Sequence, residues 1–353
     1  MQMDLLRQPL EDYLRHRFSP SAVLERAERF PRGSSRLTWF VDYRPEPTAP
    51  IRSLVFRGDF AGGSTIHTSL EREYRLYALL GRTDVPVARA LFWEGDPAWA
   101  PRPFYVREQI EGSWEVPHFT DPDPRYDALR IETSKEHMRK LALVHTVDWA
   151  KHGFDALLPA PKRVEDCAGH FLDGLVAQFE DYRREPMPLV VEALVELRRN
   201  APTAPRVSLC KGTNGLGEEV FRDGVIVAMS DWEEATIGDP AADFASMQNF
   251  APEIERGGEN IWGLEKALAY YRDASGIPLR IENVRYYQAL RMFAQILYGH
   301  KAAVVTHGGN ADIRKSWTGT EVLHVGKRLL ASAIGLAEPP PPGWFGELNE
   351  TVA

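Results

Sequence analysis

Three charged side chains around one glycine-rich stretch are the residues of this chain best suited to chemistry. The stretch reads Lys211-Gly212-Thr213-Asn214-Gly215-Leu216-Gly217-Glu218, and Asp231 follows Glu218 by thirteen positions. Gly212, Gly215 and Gly217 keep such a loop free to turn its amides toward an anion. A carboxylate delivered beside it can hold a cation. Together these suit a phosphate group and its counter-ion, although an ordinary surface hairpin would use the same residues.

The local pattern explains how Asp231 would be placed. Residues 207–210 read as a short apolar strand entering the loop. Residues 219–221 and 225–230 read as a hairpin around Asp223-Gly224, a favoured tight-turn pair, and its second strand ends at Asp231. Asp239-Pro240 predicts a helix start, with the aspartate as N-cap and proline in the first position.

Further out, strands are expected at 37–43, 53–57 and 104–110, with helices at 5–18, 70–80, 134–147, 192–199, 265–271 and 284–304. Thr68-Ser69-Leu70-Glu71 has capping-box spacing, which assigns Glu71 to the helix start and leaves Glu73 for another role. The chain changes from mixed to mainly helical near Glu111-Gly112. The four prolines after Glu338 predict an extended, peripheral tail.

Composition narrows the function classes. The 353 residues suit two associated lobes, and 44% apolar residues suffice for a sizeable core. A net charge of −8 gives no electrostatic case for nucleic acid or an anionic membrane. Cys167 and Cys210 are too few for a disulfide framework and lack metal-ligand spacing. No run is long and apolar enough for a membrane span, and the first residues read as a charged amphipathic stretch and not a signal peptide. The expectation is a cytoplasmic protein; its oligomeric state is left open.

At this point the motifs carry a family likeness. The chain resembles the aminoglycoside phosphotransferase and choline kinase superfamily, and most of all the branch related to kinase-like domains fused to acyl-CoA dehydrogenases. That family has His-Gly-Asp, four residues, Asn, a hairpin, Asp-Trp-Glu and then Gly-Asp-Pro. Here Lys211-Gly212-Thr213, Glu218, Asp231-Trp232-Glu233 and Gly238-Asp239-Pro240 occupy those places at the family's spacing, and the likeness runs from about residue 31 to residue 336.

The resemblance implies an α+β, two-lobed protein kinase-like fold: an antiparallel-sheet N-lobe over 1–111, a helical C-lobe over 112–337 and a tail over 338–353. It also implies site roles. Ser34 and Ser35 fall in a turn over the nucleotide phosphates. Arg57 would meet the α/β-phosphates, held there by Glu73. The backbone of Glu108 and Ile110 would meet the adenine edge. Asp231, assisted by Glu218, would hold magnesium, and ATP or GTP would serve as phosphoryl donor to a small-molecule hydroxyl.

The departures fall in the loop. Thr213 stands where the family has its catalytic aspartate, and a threonine hydroxyl does not ionise near neutral pH. Glu218 puts a charged ligand in place of a neutral asparagine. Lys211 replaces histidine, and it can neutralise Glu218, contact phosphate or make a structural salt bridge. General-base assistance supplies about 10²–10⁴-fold, so slow transfer remains open. Glu218, Glu219, Glu233 or a carboxylate on the substrate could replace the base. The alternatives are an inactive pseudokinase that binds nucleotide or metabolite, and a kinase-fold nucleotidyl transferase. His145 reads as a buried structural histidine, and the aromatics of the helical half read as core before pocket.

Overall fold

The computed structural model describes residues 4–30, 35–59, 64, 68–245, 250–310 and 312–341. It divides into two compact units, the first holding 1–159, 208–237 and 246–277, the second 160–207, 238–245 and 278–353.

The first unit opens with helix α1 (Asp4–Arg17) and strands β1 (Val23–Arg29), β2 (Arg36–Arg44) and β3 (Arg52–Asp59). Helix α2 (Leu70–Leu80) and strands β4 (Ala90–Glu94) and β5 (Phe104–Glu108) follow. The strands form one antiparallel sheet in the order β1-β2-β3-β5-β4. Side-chain alternation gives this sheet two different faces. Tyr13 and Leu14 of α1 pack with Leu24, Val41, Tyr43, Leu54, Phe56 and Val106 on one of them. The other carries Arg36, Thr38, Phe40, Val55 and Arg57 into a cleft.

Helix α2 starts differently from the expectation. Ser69, not Thr68, is its N-cap and accepts from the Arg72 N–H at 3.3 Å. Thr68 accepts from Arg36 instead (3.1 Å), and exposed Glu71 lies near Arg75. A long-range arginine thus claims the hydroxyl that local spacing assigned to the cap.

The same unit continues with α3 (Asp127–Thr146), β6 (Ser208–Cys210), the hairpin β7 (Glu219–Arg222) and β8 (Val225–Met229), then β9 (Thr236–Gly238). It also holds the β10 (Ile254–Arg256) and β11 (Glu259–Trp262) hairpin, and α6 (Leu264–Ser275). The β7–β8 turn falls at Asp223-Gly224, with φ of 52° and 76°, the left-handed pair a tight hairpin needs. His145 on α3 is fully buried with Nδ1 2.7 Å from the Tyr271 hydroxyl. Trp232, Trp262 and Tyr271 are core residues.

The second unit is helical: α4 (Cys167–Glu180), α5 (Pro188–Arg199), α7 (Ile281–His307), α8 (Ile313–Trp317) and α9 (Leu323–Ala333). The 27-residue α7 is its spine, packing on α4, α5, α8 and α9. Asp239 caps as expected, accepting from the Ala241 N–H at 2.9 Å, but the helix it starts is a single 3₁₀ segment, Pro240–Phe244. The Asp239 carboxylate also accepts from Asn283 at 3.2 Å. No helix among the described residues is long and apolar enough to cross a membrane. A mostly antiparallel sheet followed by mainly helical chain is the α+β kinase-like arrangement expected from the motifs.

Candidate functional site

The cleft wall is built by a row of side chains running across three strands. Register opposes Thr38 of β2 to Arg57 of β3, and Arg57 to Tyr105 of β5. Period-two alternation puts all three on one face, where Glu73 of α2 meets them. Arg57 donates to Thr38 Oγ1 (3.0 Å) and to Glu73 Oε1 (2.8 Å), and the Tyr105 hydroxyl donates to the same oxygen at 2.7 Å. Arg36 binds the other Glu73 oxygen at 3.0 Å, along with Asp59 at 2.6 Å. Burial alone would raise the Glu73 pKa, but the Arg57 and Arg36 guanidiniums outweigh it and hold it at about 2. Glu73 is therefore an anion that fixes Arg57 in place.

This wall borders a cleft of about 400 Å³, lined also by Ser35, Glu108, Ile110, Glu218 and Asp231. Its volume is in the usual range for small-molecule sites. At one end, the Glu108 N–H donates to the Arg89 carbonyl (3.0 Å) and the Gln109 N–H to the Ser53 carbonyl (3.2 Å). The chain then passes close over β7, where Ser113 and Phe221 exchange backbone hydrogen bonds of 2.8 and 2.7 Å. Gly112 permits this approach: at φ 152°, an added Cβ would lie 2.6 Å from the Phe221 carbonyl oxygen. Ser34 lies outside the described residues. Ser35 is described and lines the cleft.

Asp231 ends the hairpin in the left-handed region, φ 61°. A non-glycine residue there is strained, and such strain concentrates at functional sites. Burial raises its pKa, against the pull of Lys211 and Arg57. Glu233 is pushed up to about 8, by burial first and then by the Asp231 and Glu73 charges. The turn is braced to α2, because Arg72 donates to the Glu233 carbonyl at 3.1 Å.

Lys211 is fully buried, 3.2 Å from Glu219 and 3.6 Å from Glu218, and it also donates to the Thr213 carbonyl. Burial would lower its pKa, but the Glu219 and Glu218 carboxylates outweigh it and hold it at about 12. Its geometry is that of an internal cation. Glu219 is fully buried, with His137 Nε2 3.6 Å away. Thr213 Oγ1 donates to Glu234 Oε2 at 3.0 Å.

Four of these residues were not singled out from sequence. Arg36 and Tyr105 complete the Glu73 cluster, His137 faces Glu219, and Glu234 faces Thr213. Signals existed for only some. Tyr105 is two residues from Arg107 on a predicted strand, and Arg36 directly follows Ser34-Ser35 in the sequence. Nothing local points to Glu234, which meets Thr213 across 21 residues.

Known proteins resemble this chain in sequence and in fold. Residues 26–280 match the phosphotransferase enzyme family, APH. Mouse acyl-CoA dehydrogenase family member 10 is 26% identical over 345 residues, covering 90% of this chain and 30% of that protein. Arabidopsis thaliana probable acyl-CoA dehydrogenase IBR3 is 24% identical, covering 77% and 36%. The chain thus spans about a third of the length of these curated relatives. Among solved structures, a putative aminoglycoside phosphotransferase from Ralstonia eutropha superposes with a TM-score of 0.65 at 22% identity, over 94% of this chain and 99% of that one. A thermostable mutant of the aminoglycoside phosphotransferase APH(4)-Ia, solved as a ternary complex with ADP and hygromycin B, gives 0.60 at 14%, with the same coverage. With the family match over most of its length and the same two-part fold, this chain belongs to the APH phosphotransferase enzyme family.

Proposed function

We propose that this chain transfers a phosphoryl group from a nucleoside triphosphate, ATP or GTP, to a hydroxyl of a small metabolite. The observation that carries this is the buried Arg57–Glu73 pair, 2.8 Å, on the wall of a cleft that also contains Asp231 and Glu218. Arg57 would contact the α/β-phosphates, and Ser35, which lines the same cleft, would join it there. The Glu108 carbonyl and Ile110 amide would meet the base edge. Solved relatives in complexes with ADP, AMP-PNP or GDP support a nucleotide donor.

Asp231 and Glu218 fit magnesium. Both offer carboxylate oxygens, the donor type that ion takes, and both line the cleft. Burial raises Asp231, so its bare charge is disfavoured there and a cation would relieve it. When bound, the ion would offset the charge on the β- and γ-phosphates. Lys211 offsets part of the Glu218 charge, which brings that carboxylate closer to the neutral ligand of the family pattern.

The curated relatives bear acyl-CoA dehydrogenase names, which supports a hydroxyacyl or other lipid-like acceptor as readily as an aminoglycoside. The test is a thermal-shift and titration series with ATP, GTP and ADP, with and without magnesium, on the wild type and Asp231→Ala. Magnesium-dependent binding that is lost in the variant is the expected result. Absence of binding in both removes the kinase reading.

One observation favours a second reading, a nucleotide-binding pseudokinase: the family's catalytic aspartate position holds Thr213. Slow nucleotide hydrolysis abolished by Asp231→Ala excludes that reading. Release of pyrophosphate in place of the nucleoside diphosphate would indicate nucleotidyl transfer.

A further inference from the structure

The loop lacks a carboxylate at position 213, yet a carboxylate stands beside that position. Glu234 Oε2 accepts from Thr213 Oγ1 at 3.0 Å. Any atom of an aspartate side chain at 213 would lie in this neighbourhood, so the site keeps an anion there, drawn from the turn after β8 instead of from the loop.

The placement is enforced by the main chain. Gly212 has φ 87°, and a Cβ on it would lie 2.3 Å from the Glu234 carbonyl oxygen and 2.6 Å from the carbonyl carbon. Loop and turn backbones are therefore in direct contact, and the missing Cβ is what lets them meet. Glu234 is half-buried, unlike fully buried Glu219, so a substrate can reach it. Neither Thr213 nor Glu234 lines the 400 Å³ cleft. Glu234 follows Asp231, which does line it, by three residues, and the proposal places the acceptor on that side of Asp231.

We propose that Glu234 supplies the carboxylate missing from position 213 and takes the proton of the acceptor hydroxyl during transfer. The inference rests on the phosphotransferase reading above. The acceptor oxygen's electron pair forms the new O–P bond, and its proton passes to the Glu234 carboxylate. The bond between the γ-phosphorus and the bridging oxygen breaks, and its pair leaves with the nucleoside diphosphate. The Thr213 hydroxyl donates to the carboxylate and holds its orientation.

Magnesium-dependent ATP hydrolysis, with water as acceptor, tests this alongside nucleotide affinity by titration. In Glu234→Gln, kcat is expected to fall about 10²–10⁴-fold, the usual contribution of a general base, with ATP affinity within about twofold of wild type. Thr213→Asp in the Glu234→Gln background is expected to recover most of that loss, which a merely structural contact would not do. Thr213→Val, which keeps the side-chain shape, should lower kcat with KM unchanged. Should Glu234→Gln fail to fold, Glu234→Asp replaces it, keeping the charge but withdrawing it from position 213, with the same rescue by Thr213→Asp. Wild-type turnover in the Glu234 variant, or no rescue by Thr213→Asp, overturns the assignment. A wild type that binds nucleotide but hydrolyses none overturns Glu234 and leaves the cleft standing; one that binds none overturns both.

Discussion

Lys211 Nζ lies 3.2 Å from a Glu219 carboxylate oxygen, and both side chains are fully buried. An unpartnered charge in such a place would be costly, and each member offsets the other. The lysine at the family's histidine position reaches both Glu219 and Glu218. This pairing explains how a loop with two adjacent glutamates can pack.

Removing one partner should leave the other charged and buried. Lys211→Met is expected to cost about 3–5 kcal/mol, the usual penalty for breaking a buried pair. Combining it with Glu219→Leu should recover much of that loss. Urea unfolding of the two single variants and the double variant gives the coupling. Additive losses would mean that the pair is not an energetic unit.

Asp231 should control nucleotide binding and not folding. Asp231→Asn is expected to remove magnesium-dependent stabilisation by ATP, which at a hundredfold excess over Kd amounts to about 2.7 kcal/mol. The metal-free protein should be no less stable, because a strained, buried carboxylate has been neutralised. Differential scanning calorimetry with and without magnesium and ATP checks both halves.

Acid stability should depend on Glu73. Its ordinary pKa of 4.5 falls to about 2 in the folded protein, so folding favours the ionised form. Its contribution is therefore complete above about pH 4.5 and is lost as pH falls through about 2. The pH-dependent part is about 3 kcal/mol at most. Glu73→Gln should lower stability at neutral pH and flatten the decline between pH 5 and pH 2. An unchanged acid limb in unfolding titrations would contradict the pairing with Arg57 and Arg36.

Gly212 should tolerate no side chain. Gly212→Ala places a Cβ against the Glu234 carbonyl at a φ that alanine rarely adopts, with an expected cost of about 1–3 kcal/mol. By separating loop from turn it should also reduce turnover. Gly217→Ala is the control: its φ is also positive, 94°, but the added Cβ would meet nothing within 4 Å, so it should report backbone strain alone. Equal losses in the two would show that the contact with Glu234 contributes nothing.

Much of this site was legible in the chain because the information is local. The Asp223-Gly224 turn requires residues that accept positive φ, and that alone fixes the hairpin that ends at Asp231. Glu73 stood out because one helical turn could not need it for capping, and it is buried against Arg57 while Glu71 is exposed. Strand alternation even carried a hint about Glu219: it shares a face with Phe221, and both are buried.

Tertiary structure decided which groups share a charge. Arg36 takes Thr68 away from the helix cap and joins Glu73, 37 residues distant, because register brings β2 and α2 to one buried point where an unpaired guanidinium would be costly. Glu219 finds Lys211 and His137 for the same reason. Glu234 meets Thr213 only because two backbones touch at a glycine. Sequence by itself carried the family resemblance, with the fold class it implies, in its motifs, and the hairpin in its turn chemistry. The partner of each buried charge followed only from the folded chain, since electrostatic pairing depends on distance in space and not along the sequence.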